Sequence, residues 1–128
     1  MSPLFRRRRS LRRYVSKADI LSRATDKLLT DQLYLNPGLR CIDVAKAIGT
    51  NRTYLWDALR DTGYGFQEYV IKFRLRYFIW KAYEYRELSC AEIAERCGFN
   101  NPKVLNRCLK KTFGLTLSEY MEKVSQGL

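Results

Sequence analysis

The 128-residue chain has no histidine, and its four cysteines, at 41, 90, 97 and 108, form no Cys-x-x-Cys pair. That excludes the common zinc arrangements and histidine-based acid–base chemistry, so no metal and no cofactor are expected. Each cysteine falls where the other half of the chain places something small or apolar, and all four read as reduced core residues. There is no glycine-rich phosphate loop, and no carboxylate pair that is not better explained as a helix cap or as surface; no catalytic residue is assigned and no enzyme activity is expected. No stretch approaches the ~18 consecutive apolar residues of a spanning helix. The arginine-rich start has no apolar run behind it and is not a secretory signal, so the chain as given reads as cytoplasmic. Acidic residues are also scarce, 13 Asp and Glu against 24 Lys and Arg, for a net charge of +11. Six of those charges are Arg6, Arg7, Arg8, Arg9, Arg12 and Arg13. The excess points to a polyanionic partner, nucleic acid or an anionic membrane surface.

What the chain does contain is one unit written twice. Gly63-Tyr64-Gly65-Phe66-Gln67-Glu68-Tyr69 recurs as Gly114-Leu115-Thr116-Leu117-Ser118-Glu119-Tyr120, and Asp43–Gly49 recurs as Glu92–Gly98. Two copies are too few for a solenoid. At 46% apolar, the chain has enough for one core or two very small ones.

Residues 1–15 are a basic arm, expected to be disordered when free. Ser16 with Asp19 is a capping box opening a helix whose apolar face is Ile20, Leu21, Ala24, Leu28, Leu29 and Leu33. Asn36-Pro37-Gly38 breaks that helix. Cys41–Ile48 reads as a short helix stopped by Gly49, and Asn51 caps a second one running to about Asp61: helix, glycine turn, helix, over residues 16–65. Residues 87–128 repeat the pattern, with a Ser89–Glu92 capping box, a turn at Gly98, Asn101-Pro102 opening the next helix, a stop at Phe113-Gly114 and a last helix over about Ser118–Val124.

Between the halves, residues 66–86 predict one linking helix with two apolar stripes. Phe66, Tyr69, Phe73, Tyr77 and Trp80 form one, and Ile71, Leu75, Phe78 and Ala82 the other. A helix lying on a membrane needs one apolar face; a helix shared by two small units needs two. The expected fold is therefore all-α, about seven helices in two helix-turn-helix subdomains on one linking helix.

The same wheel arithmetic selects the residues that face outward. In the second unit, Leu105, Leu109, Cys108 and Thr112 define the buried side and leave Lys103, Arg107 and Lys110 opposite. In the first, Leu55, Leu59 and Ala58 are buried, leaving Thr53, Asp57 and Arg60 outermost with Trp56 on the flank. Arg107 suits bidentate donation to guanine O6 and N7, and Asp57 suits cytosine N4. Asp57 also repels phosphate, so the first motif is expected to contribute less affinity. Trp56 reads equally as an anchor against the linking helix and as a contact to thymine methyl or sugar. Lys110, Lys111, Arg60 and Arg52 suit phosphates, as do the arm's Arg6, Arg7, Arg8 and Arg9, while Asn51, Asn100 and Asn101 are caps first and phosphate donors second. An ordinary solvated face is the bland alternative for Lys103, Arg107 and Lys110.

These residues carry a family resemblance. Ile93-Ala94-Glu95-Arg96-Cys97-Gly98-Phe99, running on to Lys110-Lys111-Thr112-Phe113-Gly114-Leu115-Thr116 and Tyr120, together with Val44-Ala45, Gly49, Leu55, Gly63 and the Phe66/Tyr69/Arg74 spacing, resembles the DNA-binding domain of AraC/XylS-type bacterial transcription regulators over about residues 17–122. The resemblance implies double-stranded DNA as partner, two consecutive major-groove segments read by one chain, activation through RNA polymerase, and a nucleoid-associated protein. By position it puts base reading on Thr53, Trp56 and Asp57 and on Lys103, Val104 and Arg107. The pattern departs at Leu117 (usually proline), Met121 (arginine), Leu59 and Leu109 (phenylalanine) and Phe78 (alanine). No small-molecule effector site is expected. The competing readings are a helical protein-interaction module, the detached DNA-binding end of a larger membrane-anchored or sensor-linked regulator, and association with a membrane surface through the arginine run.

Overall fold

A computed structural model describes residues 16–127, and the arm with Arg6–Arg9, Arg12 and Arg13 lies outside them. The described chain folds into seven α-helices and one short 3-10 turn, with no strand among the described residues. Helix α1 is Lys17–Asp31, α2 Cys41–Ala47, α3 Arg52–Arg60, α4 Phe66–Lys81, α5 Cys90–Arg96, α6 Pro102–Phe113 and α7 Leu117–Ser125.

Local sequence sets these boundaries. Ser16 Oγ accepts from the Asp19 amide at 3.1 Å, and Asn51 Oδ1 from the Tyr54 amide at 2.9 Å, satisfying amides that have no partner inside their helices. Ser89, Asn101 and Thr116 do the same for α5, α6 and α7. Helix α1 stops at Gln32, whose φ of 51° is left-handed, and the 3-10 turn Leu33–Leu35 then carries Tyr34 into the core.

Two cores form, one on each side of α4. The first packs Ile20, Ala24, Leu28, Tyr34, Val44, Leu55, Ala58 and Leu59 against Phe66, Val70 and Phe73. The second packs Ile93, Ala94, Leu105, Leu109, Leu117, Met121 and Val124 against Phe78 and Ala82, with Ile71 and Leu75 at its edge. The two stripes of the linking helix are thus spent as expected, with corrections at the far end. Trp80 is 70% exposed rather than packed, because the first core ends at Tyr77 one turn earlier. The α-helix ends at Lys81, about 24 Å long at ~1.5 Å per residue, and the chain turns from there. The turn brings Tyr85 into the second core, its hydroxyl 3.2 Å from that of Tyr77. Leu29 is exposed as well, facing away from the packed side of α1. The family departures at Leu59, Phe78, Leu109, Leu117 and Met121 are all buried, so they refill the cores without changing the architecture.

Arg74 ties the two units together. It is 5% exposed, yet its Nε donates to the Tyr34 carbonyl at 2.6 Å and a terminal nitrogen donates to the Asn36 carbonyl at 2.9 Å. Its guanidinium also lies 5.9 Å from the Phe99 ring of the second unit. A buried guanidinium is tolerated because its donors have partners. Burial nevertheless draws its pKa down. Gly98 fits against the same seam, where a side chain would run into the Tyr34 carbonyl.

Candidate nucleic-acid interface

The second recognition helix, α6, is positioned by its own amphipathicity. Leu105 and Leu109 are fully buried, and Lys103, Arg107, Lys110 and Lys111 are exposed. Among the described residues none of these four cations is in an ion pair. Asn101 Oδ1 accepts from the Lys103 amide at 2.9 Å, fixing the helix start, while Asn100 is exposed in the turn before it. Val104 is half-buried against the second core, which leaves part of its side chain open. Thr112 is exposed, not buried as its wheel position suggested, because the last turn of α6 runs beyond the core and Phe113 next to it is itself 45% exposed.

Asn106 reaches across to the next helix. Its Oδ1 accepts from the Leu117 amide at 2.6 Å, while Thr116 and Glu119 cap each other at the start of α7. The amide bonds to Glu119 hold its carboxyl below the usual carboxylate range. This bracing of α6 by α7 was not visible in the sequence.

The first recognition helix, α3, presents a different surface. Leu55, Ala58 and Leu59 are buried, and Arg52, Thr53 and Arg60 are exposed. Trp56 is 52% exposed and lines a depression with Gln67 at the start of the linking helix, so about half of its side chain is open. Asp57 and Arg60, predicted separately as a base acceptor and a phosphate donor, are brought together: a terminal nitrogen of Arg60 lies 3.0 Å from Asp57 Oδ1. The same guanidinium stands 5.5 Å from the centre of the Trp56 ring. The one carboxylate of this face and one of its arginines engage each other, which leaves Arg52 as its single net charge.

Beside α3 lies an open depression of about 570 Å³ between the starts of α2, α3 and α4, lined by Arg40, Arg52, Trp56 and Gln67 among others. Arg52 is among the phosphate candidates named from the sequence, and Arg40 stands beside it. Arg40 donates through its backbone and side chain to Asp43, lowering that carboxyl's pKa, and so stiffens the start of α2.

The cysteines are free, but Cys97 alone is fully buried, and Cys41, Cys90 and Cys108 are half-buried. Burial pushes the Cys97 thiol up to about 12. Among the described residues no cluster of His, Cys, Asp or Glu is arranged to hold a metal, and no helix is long and apolar enough to cross a membrane.

Comparison with known proteins agrees with this geometry. A family described as a helix-turn-helix domain matches residues 44–123. An uncharacterized transcriptional regulatory protein of Bacillus subtilis, YesN, is 37% identical over 100 residues, covering 76% of this chain and 27% of that protein. The Msm operon regulatory protein of Streptococcus mutans is 29% identical over 90 residues, covering 70% of this chain and 32% of that protein. The chain thus spans about a third or less of the length of these relatives. Among solved structures, the C-terminal domain of AraT, a response regulator from Geobacillus stearothermophilus, superposes with a TM-score of 0.62 at 25% identity, covering 81% of this chain and 84% of that one. With the family match spanning more than half of its residues, the chain belongs to the AraC-type helix-turn-helix family of DNA-binding transcription regulators.

Proposed function

We propose that this chain reads two successive major-groove segments of one duplex, with α6 as the dominant base-reading helix and α3 as the weaker one. The observation that carries this is the contrast between the faces: α6 exposes four cations outside any ion pair among the described residues, whereas α3 exposes an arginine tied to Asp57. Arg107 reads a guanine and Lys103 a neighbouring base, with Val104 against a thymine methyl. Lys110 and Lys111 hold phosphates, joined by Asn100, Asn101, Asn51 and Arg52 through the exposed parts of their side chains. Thr53, Trp56 and Asp57 make the lesser set of base contacts, and Arg6–Arg9 extend the phosphate contacts along the duplex.

Selection of bound sequences from random duplex DNA, followed by footprinting, tests the reading. The expected site has two conserved blocks about one helical turn, ~34 Å, apart. Arg107→Ala should lose ~1–3 kcal/mol on that site and relax preference at one base pair. Sequence-blind binding that Arg107→Ala leaves unchanged would refute it. We further infer activation through RNA polymerase, in line with the family resemblance. Transcription from a promoter carrying the selected site should rise on adding the protein; a fall would make it a repressor.

A further inference from the structure

Among the described residues, Arg74 is the one charged side chain that is buried. It leaves α4 at the seam between the two units. Its hydrogen bonds end on the Tyr34 and Asn36 carbonyls of the first unit, and its guanidinium faces the Phe99 ring of the second.

Both anchors are stiff. On the first side, the Leu35 and Asn36 amides donate to the Gln32 and Leu33 carbonyls at 3.1 Å. The Leu39 amide donates to the Asn36 carbonyl at 3.1 Å, and the Gly38 amide to Asn36 Oδ1 at 2.9 Å. On the second side, Phe99 is buried, and its amide donates to the Ala94 carbonyl at 2.9 Å. Two residues further on, Asn101 caps α6 at the Lys103 amide. The turn that the first unit touches is therefore the one that sets where the helix carrying Arg107 begins. Small units joined by one element move relative to each other unless a contact between them prevents it. The seam is such a contact, lying away from the axis of the shared helix.

We propose that Arg74 fixes the separation of the two DNA blocks. It is too buried to reach a base and acts as a positioning residue, deciding how many base pairs stand between the segments read by α3 and α6. Given the two-segment reading on which this rests, one base pair more or less moves the second groove by ~3.4 Å along the duplex and about 35° around it. Arg74 holds its carbonyls at 2.6 and 2.9 Å, and a hydrogen bond is lost beyond ~3.5 Å. Gly98 already abuts the Tyr34 carbonyl, which blocks movement in the opposite sense. The seam cannot follow a changed spacing and stay closed.

Two measurements on the full 128-residue chain and two variants test this. Arg74→Met keeps the stem and loses every donor; Arg74→Lys keeps the charge and should behave between Arg74→Met and wild type, and it carries the test if Arg74→Met does not fold. Residual dipolar couplings of the free protein read the relative orientation of the units without DNA. The wild type should fit one alignment tensor over both units, and Arg74→Met should need two. The selected site is then rebuilt with one base pair added or removed between its blocks. The wild type should lose about tenfold or more in affinity, the worth of one good base contact. Arg74→Met, with its units flexibly linked, should lose about threefold or less, and it should bind a duplex carrying the α6 block alone within about twofold of wild type. A purely structural role would weaken every spacing alike and leave the preference as strict as before, which overturns the proposal. So does an Arg74→Met protein that fits one tensor, or a wild type that binds all spacings equally. A selected site with a single block refutes the two-segment reading itself, and the spacing role falls with it.

Discussion

Gly49 and Gly98 occupy the same turn in the two repeats, with φ of +77° and +90°, and alanine at each should cost different amounts. At either position it must hold a left-handed backbone, a penalty of ~1–2 kcal/mol. Around Gly49 nothing lies within 4 Å of where the new Cβ would stand, so the penalty ends there. At Gly98 the Cβ would strike the Tyr34 carbonyl oxygen and come within 3.0 Å of Arg74 Nε and Leu35 Cα. That oxygen is held by Arg74 at 2.6 Å, and moving it disturbs the bond joining the two units. Overpacking a close seam adds ~1–3 kcal/mol. Gly49→Ala should thus lose ~1–2 kcal/mol and Gly98→Ala ~2–5 kcal/mol. Urea denaturation followed by far-ultraviolet circular dichroism measures both. Equal losses, within about 0.5 kcal/mol, would mean that the Gly98 turn does not bear on the Tyr34–Arg74 seam, and the rigid linkage of the two units would fall with it.

Three other outcomes are expected. Asp57→Ala should relax base preference in the first half-site and steepen the salt dependence of binding by ~0.9 in log–log slope, because it removes a base contact and releases Arg60 for a phosphate; an unchanged base preference would mean that Asp57 reads no base. Thiol titration at about pH 8 should find three cysteines reacting before the fourth, since a thiol raised to about 12 holds ~10³-fold less thiolate than an ordinary one; Cys97 reacting early would contradict its burial. Deleting residues 1–13 should flatten the salt dependence of DNA binding in proportion to the arginines that touch phosphate, at ~0.9 per contact; an unchanged slope would mean the arm never meets DNA.

The sequence disclosed the helices because each depends on short-range chemistry. Ser16, Asn51, Ser89 and Asn101 are caps whose function lies within three residues, and the doubled stripe of α4 is a periodicity. It disclosed less wherever a contact joins distant segments. Arg74 looked like a spacing marker, and its burial depends on two carbonyls about 40 residues earlier. The Asn106 bond to Leu117 is hidden likewise, and so is the exposure of Trp80, which depends on where the first core runs out rather than on helical angle. Charge pairing within one helix is local, however, and the Asp57–Arg60 bridge was available from its i,i+3 spacing.

The divergence of the two recognition helices follows from what each must do for its neighbour. Aligned by the repeat, Trp56 occupies the position of Asn106, and Asp57 that of Arg107. In the second unit that first position serves the fold, because Asn106 accepts from the start of α7 at 2.6 Å. In the first unit, α4 begins at Gly65 with no side-chain cap, and it is anchored instead by the long packing surface it shares with both cores. Trp56 is therefore free of that capping role and half-exposed, on the face where Asp57 and Arg60 engage each other. Under the proposed reading, α6 couples a fixed scaffold to free cations and carries the affinity. Helix α3 trades charge for an aromatic surface and contributes discrimination by shape.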